Sequence, residues 1–358
     1  MLGTSRGTKD RSRIITIFAV GIFALIMPIG ILFSGFPAIA CCGDSSSAQM
    51  QFEDEAMPGP DGGNDLTTEG LLLTYAQSPD SLHYLTLEEA DSLKAAVGTY
   101  DPMKEYNLLI EDHGTGLAPP TEAEWGEMVG SLIVLEAGEM TTLSFPTSYD
   151  LSTDPYFPEV RSQGGQGSCA AWAVTYYAYG YLEAKDNEWA DASTGNDAHL
   201  MSPAFTYNMV NGGYDSGSSM NSNSRIIRDW GVPSLANMEY DWHDYTSWGN
   251  ESAWREAPLH RSYDSHSISY SGDSTVDTVK ELVSSGTPVV FAIDAGEYTP
   301  GFSDGNYIIS SSEYDSSTIN HAQTVVGYDD SCADDGDTGH SRWSIPGGLD
   351  GEMMGTTG

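Results

Sequence analysis

The chain has 358 residues, enough for one large domain or two ordinary ones, and its hydrophobic fraction of 39% supports a substantial core. Its 52 acidic and 14 basic residues give a formal net charge of −38, which excludes nucleic acid and anionic lipid as partners of the main body. Four cysteines, two of them at positions 41 and 42, exclude a disulfide scaffold.

The first 42 residues predict a signal peptide or a membrane anchor. A basic stretch at 6–13 precedes an uncharged apolar run at 14–33, which is long enough for one bilayer span. The positive-inside rule then leaves the N-terminus in the cytoplasm and sends the rest of the chain outside. Three interpretations stay open: an uncleaved anchor, a signal peptide cleaved after 38–40 (AIA), and a lipid-modified Cys41. We therefore expect contact with the membrane through this segment and an extracellular main body.

The next two segments predict a linker and a short helical region. Residues 43–70 are rich in Ser, Gly, Pro and acidic residues, which is typical of a linker. Residues 71–143 contain two helical patterns that begin at Thr86 and Thr121, each with a glutamate three residues later, as in a capping box. This helical region is predicted to be a pro-segment, a spacer or a small interaction module.

From residue 144 onward, the pattern predicts an α+β domain. Helical patterns at 169–184, 222–230 and 275–284 are followed or interleaved by apolar runs at 288–293 and 324–328, which predict strands. Helices come first and strands later, so alternating βαβ units are not favoured. Four tyrosines in the first helix are predicted to pack in the core: Tyr176, Tyr177, Tyr179 and Tyr181.

Residues 160–173 (VRSQGGQGSCAAWA) are the most informative stretch, because a glycine-rich loop leads into Cys169 at the start of a helix. The positive end of the helix dipole stabilises a thiolate and lowers the pKa of the thiol, which predicts an activated nucleophile. Gln163 in the same loop is predicted to donate its amide N–H to an oxyanion, beside the backbone N–H of Cys169. Gln166 is an alternative donor.

Residues 320–329 (NHAQTVVGYD) are the second informative stretch, because His321 begins a β-branched strand. A histidine at a strand start can meet a helix from the other half of a fold, and we predict that it is the base for Cys169. Alone, a cysteine is usually a small buried hydrophobe and a histidine is usually structural. The combination of Gln163, Cys169 and His321 is what predicts catalysis.

These motifs resemble those of the papain-like cysteine peptidases over about 145–339. The Gln163-to-Cys169 spacing, the run 167–173 and the histidine strand are similar to the family's. The resemblance implies a papain-like two-lobed α+β fold, with a helical lobe carrying Cys169 and a barrel-like lobe carrying His321. It also implies a cysteine-type endopeptidase of the disulfide-poor microbial branch, since Gln166 replaces a usual cysteine.

The same resemblance implies further properties of the chain. We expect protein or peptide substrates, no cofactor, no metal site and a monomer. The acidic run 329–337 predicts a solvated turn rather than a calcium site, because its spacing matches no EF-hand loop.

The C-terminus departs from the family pattern, because no Asn-Ser-Trp-Gly motif follows His321. One permitted back-translation of residues 339–358, read two bases further on, gives AFKVVNSWGTGWGDDGYYW, which contains that motif. The residues with a single codon, Trp343, Met353 and Met354, fit this path. We therefore expect a one-base deletion near the Gly339 codon, which leaves a peptidase domain at 144–339 and an out-of-frame tail at 340–358. A chain with this tail is expected to have little catalytic activity.

Two other functions stay open on the sequence. The first is a catalytically inactive papain-like module that binds a partner at the cell surface, because the third catalytic residue is missing. The second and weaker one is a transglutaminase-like acyl transferase, which uses a related triad. That triad usually ends in Asp, and the Gln163-to-Cys169 spacing does not belong to it.

Overall fold

The computed structural model describes residues 82–84, most of 91–129, 133–135, 146–262, 265, 273–297, 308–309, 318–334, 337–344 and 354–357. The predicted anchor at 1–42 and linker at 43–70 lie outside this part of the chain. Within it, every helix is too short or too polar to cross a bilayer.

The helices of the described residues precede most of the sheet, as the sequence predicts. They are α1 Glu122–Val129; α2, which runs through Cys169–Ala171, the π-helical Trp172–Tyr179 and Gly180–Asp186; α3 Pro203–Val210; α4 Met220–Asp229; α5 Glu251–Glu256; and α6 Asp273–Ser284. Short 3₁₀ turns occur at Leu151–Thr153, Ala190–Thr194, Asp197–His199, Ala257–Leu259 and Ala295–Glu297.

Helix α2 is the centre of the core because every residue from 169 to 181 is buried. Its four tyrosines are completely buried, so the prediction of core packing is confirmed. A buried tyrosine hydroxyl needs a partner, and these find theirs mainly on the chain that precedes the helix. Tyr176 donates to Glu159 O at 2.6 Å and Tyr177 to Arg161 O at 3.0 Å. These bonds fix the path of the chain into the loop before Cys169.

The strands of the described residues form one main sheet and two small pairs. They are β1 Leu82–Tyr84, β2 Leu109–Ile110, β3 His113–Gly114, β4 Ile133–Leu135, β5 Ser148–Asp150, β6 Val289–Ile293, β7 Ile308–Ile309, β8 His321–Asp334, β9 Asp337–Ser344 and β10 Met354–Thr357. The main sheet has the order β5-β8-β9-β10-β7, with β6 also paired to β8. Its pairs are antiparallel except β7 with β10.

Strand β8 begins at His321, as predicted, and pairs with β6 from His321↔Ile293 to Val325↔Val289. It then continues to Asp334, so the prediction of an acidic turn over 329–337 is wrong for most of that run. Backbone pairing with β9 extends the strand, with a register shift between Asp329 and Ala333 and the last pair at Asp334↔Asp337. Ladder hydrogen bonds involve only main-chain groups, so acidic side chains did not stop it.

The region before the domain contains short strands as well as helices. Strand β1 pairs with β4, and β2 with β3, each antiparallel and two or three residues long. Strands this short leave no alternating pattern in the sequence, which is why a helical region was expected. The predicted capping box of α1 is confirmed: the Thr121 backbone N–H donates to Glu124 Oε2 at 2.7 Å, and the Glu124 N–H donates to Thr121 Oγ1 at 3.3 Å.

One hydrogen bond joins the sheet to the central helix near the predicted site. Thr324 Oγ1, in β8, donates to Ala173 O in α2 at 3.0 Å, and both residues are buried. This bond lies three residues after His321 and four after Cys169, so it fixes the start of the strand against the start of the helix.

Candidate active site

The structure brings the start of α2 to the start of β8. Cys169 is completely buried, and its sulfur accepts a hydrogen bond from the backbone N–H of Ala322, the residue after His321. His321 is itself 4% exposed. The two residues predicted to react together therefore lie at the starts of two contacting elements.

A stretch of the chain from before the domain lies across this site, and we call residues 105–118 the cleft segment. The Gly114 N–H donates to Gly164 O at 2.9 Å, and the Leu117 N–H donates to Asn320 O at 3.0 Å. On the far side, the Ser218 N–H donates to Gly116 O at 2.9 Å. The cleft segment is thus hydrogen-bonded to the loop before Cys169, to the residue before His321 and to the wall formed at Ser218.

The two predicted oxyanion donors converge on one carbonyl of the cleft segment. The Cys169 N–H makes a long hydrogen bond of 3.4 Å to Thr115 O, and Gln163 Nε2 lies 3.4 Å from the same oxygen. The shortest hydrogen bonds of Gln163 Nε2 are to Gly114 O, at 2.7 Å, and to Gln166 O, at 2.9 Å. The amide of Gln166 instead donates to Trp242 O at 3.2 Å. Of the two glutamines in this loop, Gln163 is the one whose amide faces the cleft segment.

The close fit of the cleft segment depends on glycine. A Cβ atom added at Gly114 would lie 2.2 Å from Gln166 O, and one added at Gly116 would lie 2.1 Å from Gly167 O. Gly116 also has a φ of +103°, which side-chain-bearing residues rarely adopt. Across the cleft, a Cβ atom at Gly217 would lie 2.4 Å from Gly116 O. Backbone therefore packs on backbone at this point of the cleft.

The burial of the site reverses the predicted ionisation of Cys169. Burial raises the pKa of Cys169 to about 12, and the hydrogen bonds from the backbone N–H groups of Ala322, Ala170 and Cys169, which lower it, do not compensate. The prediction of a pre-formed thiolate is therefore wrong for this form of the chain. The helix dipole is present, but the cleft segment excludes the water that would solvate the anion.

His321 is held neutral for the same reason. Burial, with a smaller effect of the charge of His113 in the cleft segment, lowers the pKa of His321 to about 4. Near neutral pH, the structure therefore contains a thiol and a neutral imidazole rather than a thiolate and an imidazolium.

The loop before Cys169 is fixed by polar side chains, two of which the sequence reasoning did not single out. Asp215 Oδ1 accepts hydrogen bonds from the Gly167 N–H at 2.8 Å and from the Tyr207 hydroxyl at 2.7 Å. Ser168 Oγ and the Tyr240 hydroxyl are 2.8 Å apart, and the Tyr240 hydroxyl donates to Gln163 O at 2.7 Å. Asp215 and Tyr207 are distant from the loop in sequence and belong to no recognised motif, so only the fold reveals their part in it.

On the histidine side, Asp294 fixes the residue before His321. Asn320 Nδ2 donates to Asp294 Oδ1 at 2.6 Å, and Asn320 Oδ1 accepts the Ala295 N–H at 2.9 Å. Two residues further along β8, Gln323 is fully buried, and neither its Nε2 nor its Oε1 atom has a hydrogen-bond partner in the described structure. The described residues contain no cluster of three or more His, Cys, Asp or Glu that could hold a metal ion.

Comparison with known proteins identifies the family. A family model described as papain family cysteine protease matches residues 145–347, which is more than half of the chain and includes Gln163, Cys169 and His321. The chain belongs to the papain family of cysteine proteases. Its α+β fold is the papain-like fold, as the motifs predict.

Solved structures with similarity to this chain include three cysteine-protease structures. Xylellain, a cysteine protease from Xylella fastidiosa, has 18% identity and a TM-score of 0.49, covering 70% of this chain and 92% of that one. Digestive procathepsin L 3 of Tenebrio molitor has 20% identity and a TM-score of 0.45, covering 61% and 65%. Bromelain from Ananas comosus, in complex with the E64 inhibitor, has 16% identity and a TM-score of 0.39, covering 59% and 88%. A search of curated proteins finds no significant match.

Proposed function

We propose that this papain-family chain is the precursor of an active cysteine endopeptidase that hydrolyses peptide bonds outside the cell membrane. The observation that supports it best is that two N–H donors face adjacent carbonyls of the cleft segment: Gln163 Nε2 donates to Gly114 O at 2.7 Å, and the Cys169 N–H to Thr115 O at 3.4 Å. This is the arrangement that a scissile carbonyl needs, because the same donors stabilise the oxyanion that forms there.

In the proposed mechanism, the Cys169 thiolate attacks the substrate carbonyl carbon while Gln163 Nε2 and the Cys169 N–H hold the oxyanion. The oxyanion then collapses, the C–N bond breaks, and the His321 imidazolium gives its proton to the leaving amine. A water molecule next attacks the thioester and passes a proton to His321. Release of the acid product restores the thiolate and the imidazolium. Each proton is returned, so the cycle needs no cofactor.

We propose that residues 71–143 are an inhibitory pro-segment and that the cleft segment is its inhibitory part. Its carbonyls at Gly114 and Thr115 occupy the donors that a substrate needs. It also keeps Cys169 and His321 in their unreactive neutral forms, because burial shifts both pKa values in that direction. Removal of the segment would return solvent to the site and allow the ion pair to form.

A thiol-directed epoxide probe tests the proposed function. The full chain and a frame-restored full chain are incubated with the probe after activation, and Cys169 adducts are measured by intact mass. We expect labelling that the substitution Cys169→Ser abolishes, together with hydrolysis of a peptide mixture. The alternative function is an inactive papain-like binding module. A folded, frame-restored chain that neither labels nor hydrolyses peptides would support that alternative and contradict ours.

We also propose that the tail at 340–358 is out of frame and that the frame-restored chain supplies the asparagine that orients His321. The pairing of β9 with β8 as far as Ser344 is compatible with either reading frame, because ladder hydrogen bonds do not involve side chains. Sequencing the 3′ end of the gene is the test. A gene whose codons give no Asn-Ser-Trp-Gly in any frame contradicts the hypothesis.

Finally, we propose that the N-terminal residues 1–42 carry the enzyme to the outside of the membrane. The charge of −38 makes a peripheral attachment through anionic lipid unfavourable, so the apolar run at 14–33 would be the attachment. Cell fractionation followed by mass analysis of the mature N-terminus distinguishes an anchor, a cleaved signal and a lipid on Cys41. Recovery of the intact chain from the cytosolic fraction would contradict the proposal.

A further inference from the structure

Asp215 presents a carboxylate oxygen to the cleft beside the nucleophile. Its Oδ1 atom is fully used inside the domain, by the Gly167 N–H and the Tyr207 hydroxyl. Its Oδ2 atom points the other way and accepts a hydrogen bond from the cleft segment, from Asn107 Nδ2 at 3.1 Å. One oxygen therefore belongs to the domain and the other is satisfied only while the cleft segment is bound.

Asn107 shows what kind of group this place accepts. Its Nδ2 atom gives one hydrogen to Asp215 Oδ2 and the other to Gly165 O, each at 3.1 Å. Its side chain packs on Gly167, where an added Cβ atom would lie 2.8 Å from Asn107 Cβ. The domain thus offers two acceptors, a carboxylate oxygen and a carbonyl oxygen, over a floor of glycine backbone.

The position of these acceptors relates them to the bond that is attacked. Asn107 Oδ1 accepts the Thr115 N–H at 3.2 Å, and the Thr115 carbonyl is the one held by the Cys169 N–H. The two acceptors therefore lie beside the residue whose carbonyl occupies the oxyanion position. A substrate that replaces the cleft segment has its own side chain at that residue, within reach of the same acceptors.

We infer that Asp215 and the Gly165 carbonyl select a lysine or arginine side chain on the substrate residue that supplies the scissile carbonyl. This inference rests on the proposed peptidase function. A cationic donor replaces Asn107 with charge-assisted hydrogen bonds, and the planar guanidinium of arginine offers several donors at once. An apolar side chain at that residue would leave both acceptors without a donor, which is costly in a half-buried site.

The surroundings of Asp215 also favour a cationic side chain over a neutral one. Glu105 lies near Asp215 and raises its pKa, but it belongs to the cleft segment and leaves with it. Burial is the largest cause of the raised pKa of Asp215, and the hydrogen bonds from Tyr207, Gly167 and Asn107 oppose it. A cationic side chain in contact with Oδ2 would stabilise the ionised carboxylate and so bind more tightly than a neutral one of the same shape.

The first test needs no catalysis and uses the full chain as it stands. Asn107→Ala leaves both acceptors open, and methylguanidinium at millimolar concentration is then added, with neutral methylurea as its matched control. We expect methylguanidinium to raise the Tm of the Asn107→Ala chain by about 2 °C more than methylurea does. We expect no such difference in the parent chain or in the Asn107→Ala/Asp215→Asn double variant. Equal effects of the two solutes would overturn the inference.

The second test measures the preference at the reacting site. Peptidyl vinyl sulfones that differ only in arginine or citrulline at the residue beside the warhead are reacted with the full chain carrying Gly116→Ala. We expect Cys169 labelling to be about tenfold faster with arginine, which corresponds to one charge-assisted contact of about 1.4 kcal/mol. Asp215→Asn should bring the ratio near one. Tyr207→Phe removes the hydrogen bond to Asp215 Oδ1 and leaves Oδ2 unchanged, so it should lower stability and keep the labelling ratio.

The outcomes separate the two proposals. Equal labelling by both probes in the Gly116→Ala chain, or a ratio that Asp215→Asn does not change, overturns the inference while the peptidase proposal stands. No labelling by either probe, in the Gly116→Ala chain and in its frame-restored form, contradicts the peptidase proposal, and the methylguanidinium comparison still decides whether the acceptor pair binds a cation.

Discussion

The cysteine side and the histidine side of the site differ in how their buried amide side chains are paired. On the cysteine side, Tyr240 and Asp215 hold the loop before Cys169, and the amides of Gln163 and Gln166 each donate through Nε2 and leave only Oε1 without a partner. On the histidine side, Gln323 lies two residues after His321, fully buried, and neither end of its amide has a partner among the described residues. A buried unpaired amide group costs about 1–3 kcal/mol. Of these three amides, the one on the histidine side is therefore the least completely paired.

Restoring the reading frame after Gly339 should have the largest effect on this contrast. An asparagine that accepts from the imidazole fixes its orientation, and positioned acid–base catalysis is worth about 10²- to 10⁴-fold in rate. We therefore expect a rise of that size in peptide hydrolysis by the activated chain, together with a higher Tm. The measurement is kcat/KM on a peptide substrate for the two chains.

The control for this prediction is the frame-restored chain in which the new asparagine codon is changed to alanine. It should keep the gain in Tm that the added strands provide and lose most of the gain in rate. Equal rates for the original and frame-restored chains would contradict the hypothesis that His321 lacks its orienting partner.

Opening the cleft by Gly116→Ala should have the second-largest effect. The new Cβ atom would lie 2.1 Å from Gly167 O, and the residue would keep a φ of +103° only with strain. We expect the cleft segment to leave the site, so that the rate of Cys169 labelling in the full chain rises about 10²-fold, which corresponds to about 3 kcal/mol. Gly126→Ala is the matched control, because a Cβ atom there meets nothing within 4 Å. Unchanged labelling would show that the cleft segment does not block the site.

The sequence predicts the elements that carry Cys169 and His321 much better than it predicts the cleft segment that lies across them. Cys169 at a helix start and His321 at a strand start are recognisable because each motif is local, and the capping box at Thr121 fixes α1 in the same way. The cleft segment has no such signal. Its fit depends on the absence of side chains at Gly114 and Gly116, and glycines in a polar stretch predict only a turn.

The ionisation of the site was mispredicted for a related reason. A helix start lowers the pKa of a thiol only while water or a charge stabilises the anion, and the loop motif says nothing about what covers it. Asp215 and Asn107 were also missed, because their contact joins residues 108 positions apart. Pairings of that kind come from tertiary packing, so neither helical nor strand periodicity reveals them.

Alkaline pH should weaken the hold of the cleft segment, with the next-largest effect. In the closed form, Cys169 keeps its proton up to a pKa of about 12, and His321, with a pKa of about 4, is neutral. The open form holds the same single proton at about pH 7, as a thiolate–imidazolium pair, and loses it when the imidazolium deprotonates. Opening should therefore be independent of pH near neutrality and rise about tenfold per pH unit above the pKa of the imidazolium. Hydrogen exchange of the Leu117 and Gly114 amides, corrected for intrinsic rates, measures this opening.

One variant identifies the group responsible. Cys169→Ser should remove the rise at alkaline pH, because the open form then has no thiolate–imidazolium pair and loses no proton in that range. Opening of the parent chain that does not increase between about pH 7 and about pH 10 would contradict this account.

Helix α1 supplies the smallest of these effects, because it holds the region next to the cleft segment rather than the segment itself. Glu124 is 3% exposed, and its Oε1 atom accepts a hydrogen bond from Ser219 Oγ at 3.1 Å while Oε2 closes the capping box with Thr121. Glu124→Ala removes these bonds and leaves Ser219 without this acceptor. We expect a loss of about 1–2 kcal/mol in the free energy of unfolding and an increase in opening of about tenfold. Glu127→Ala, at an exposed position of the same helix, is the control and should change neither quantity. If both variants behave alike, α1 makes no contribution to closure, and the contacts between residues 114 and 118 hold the cleft segment by themselves.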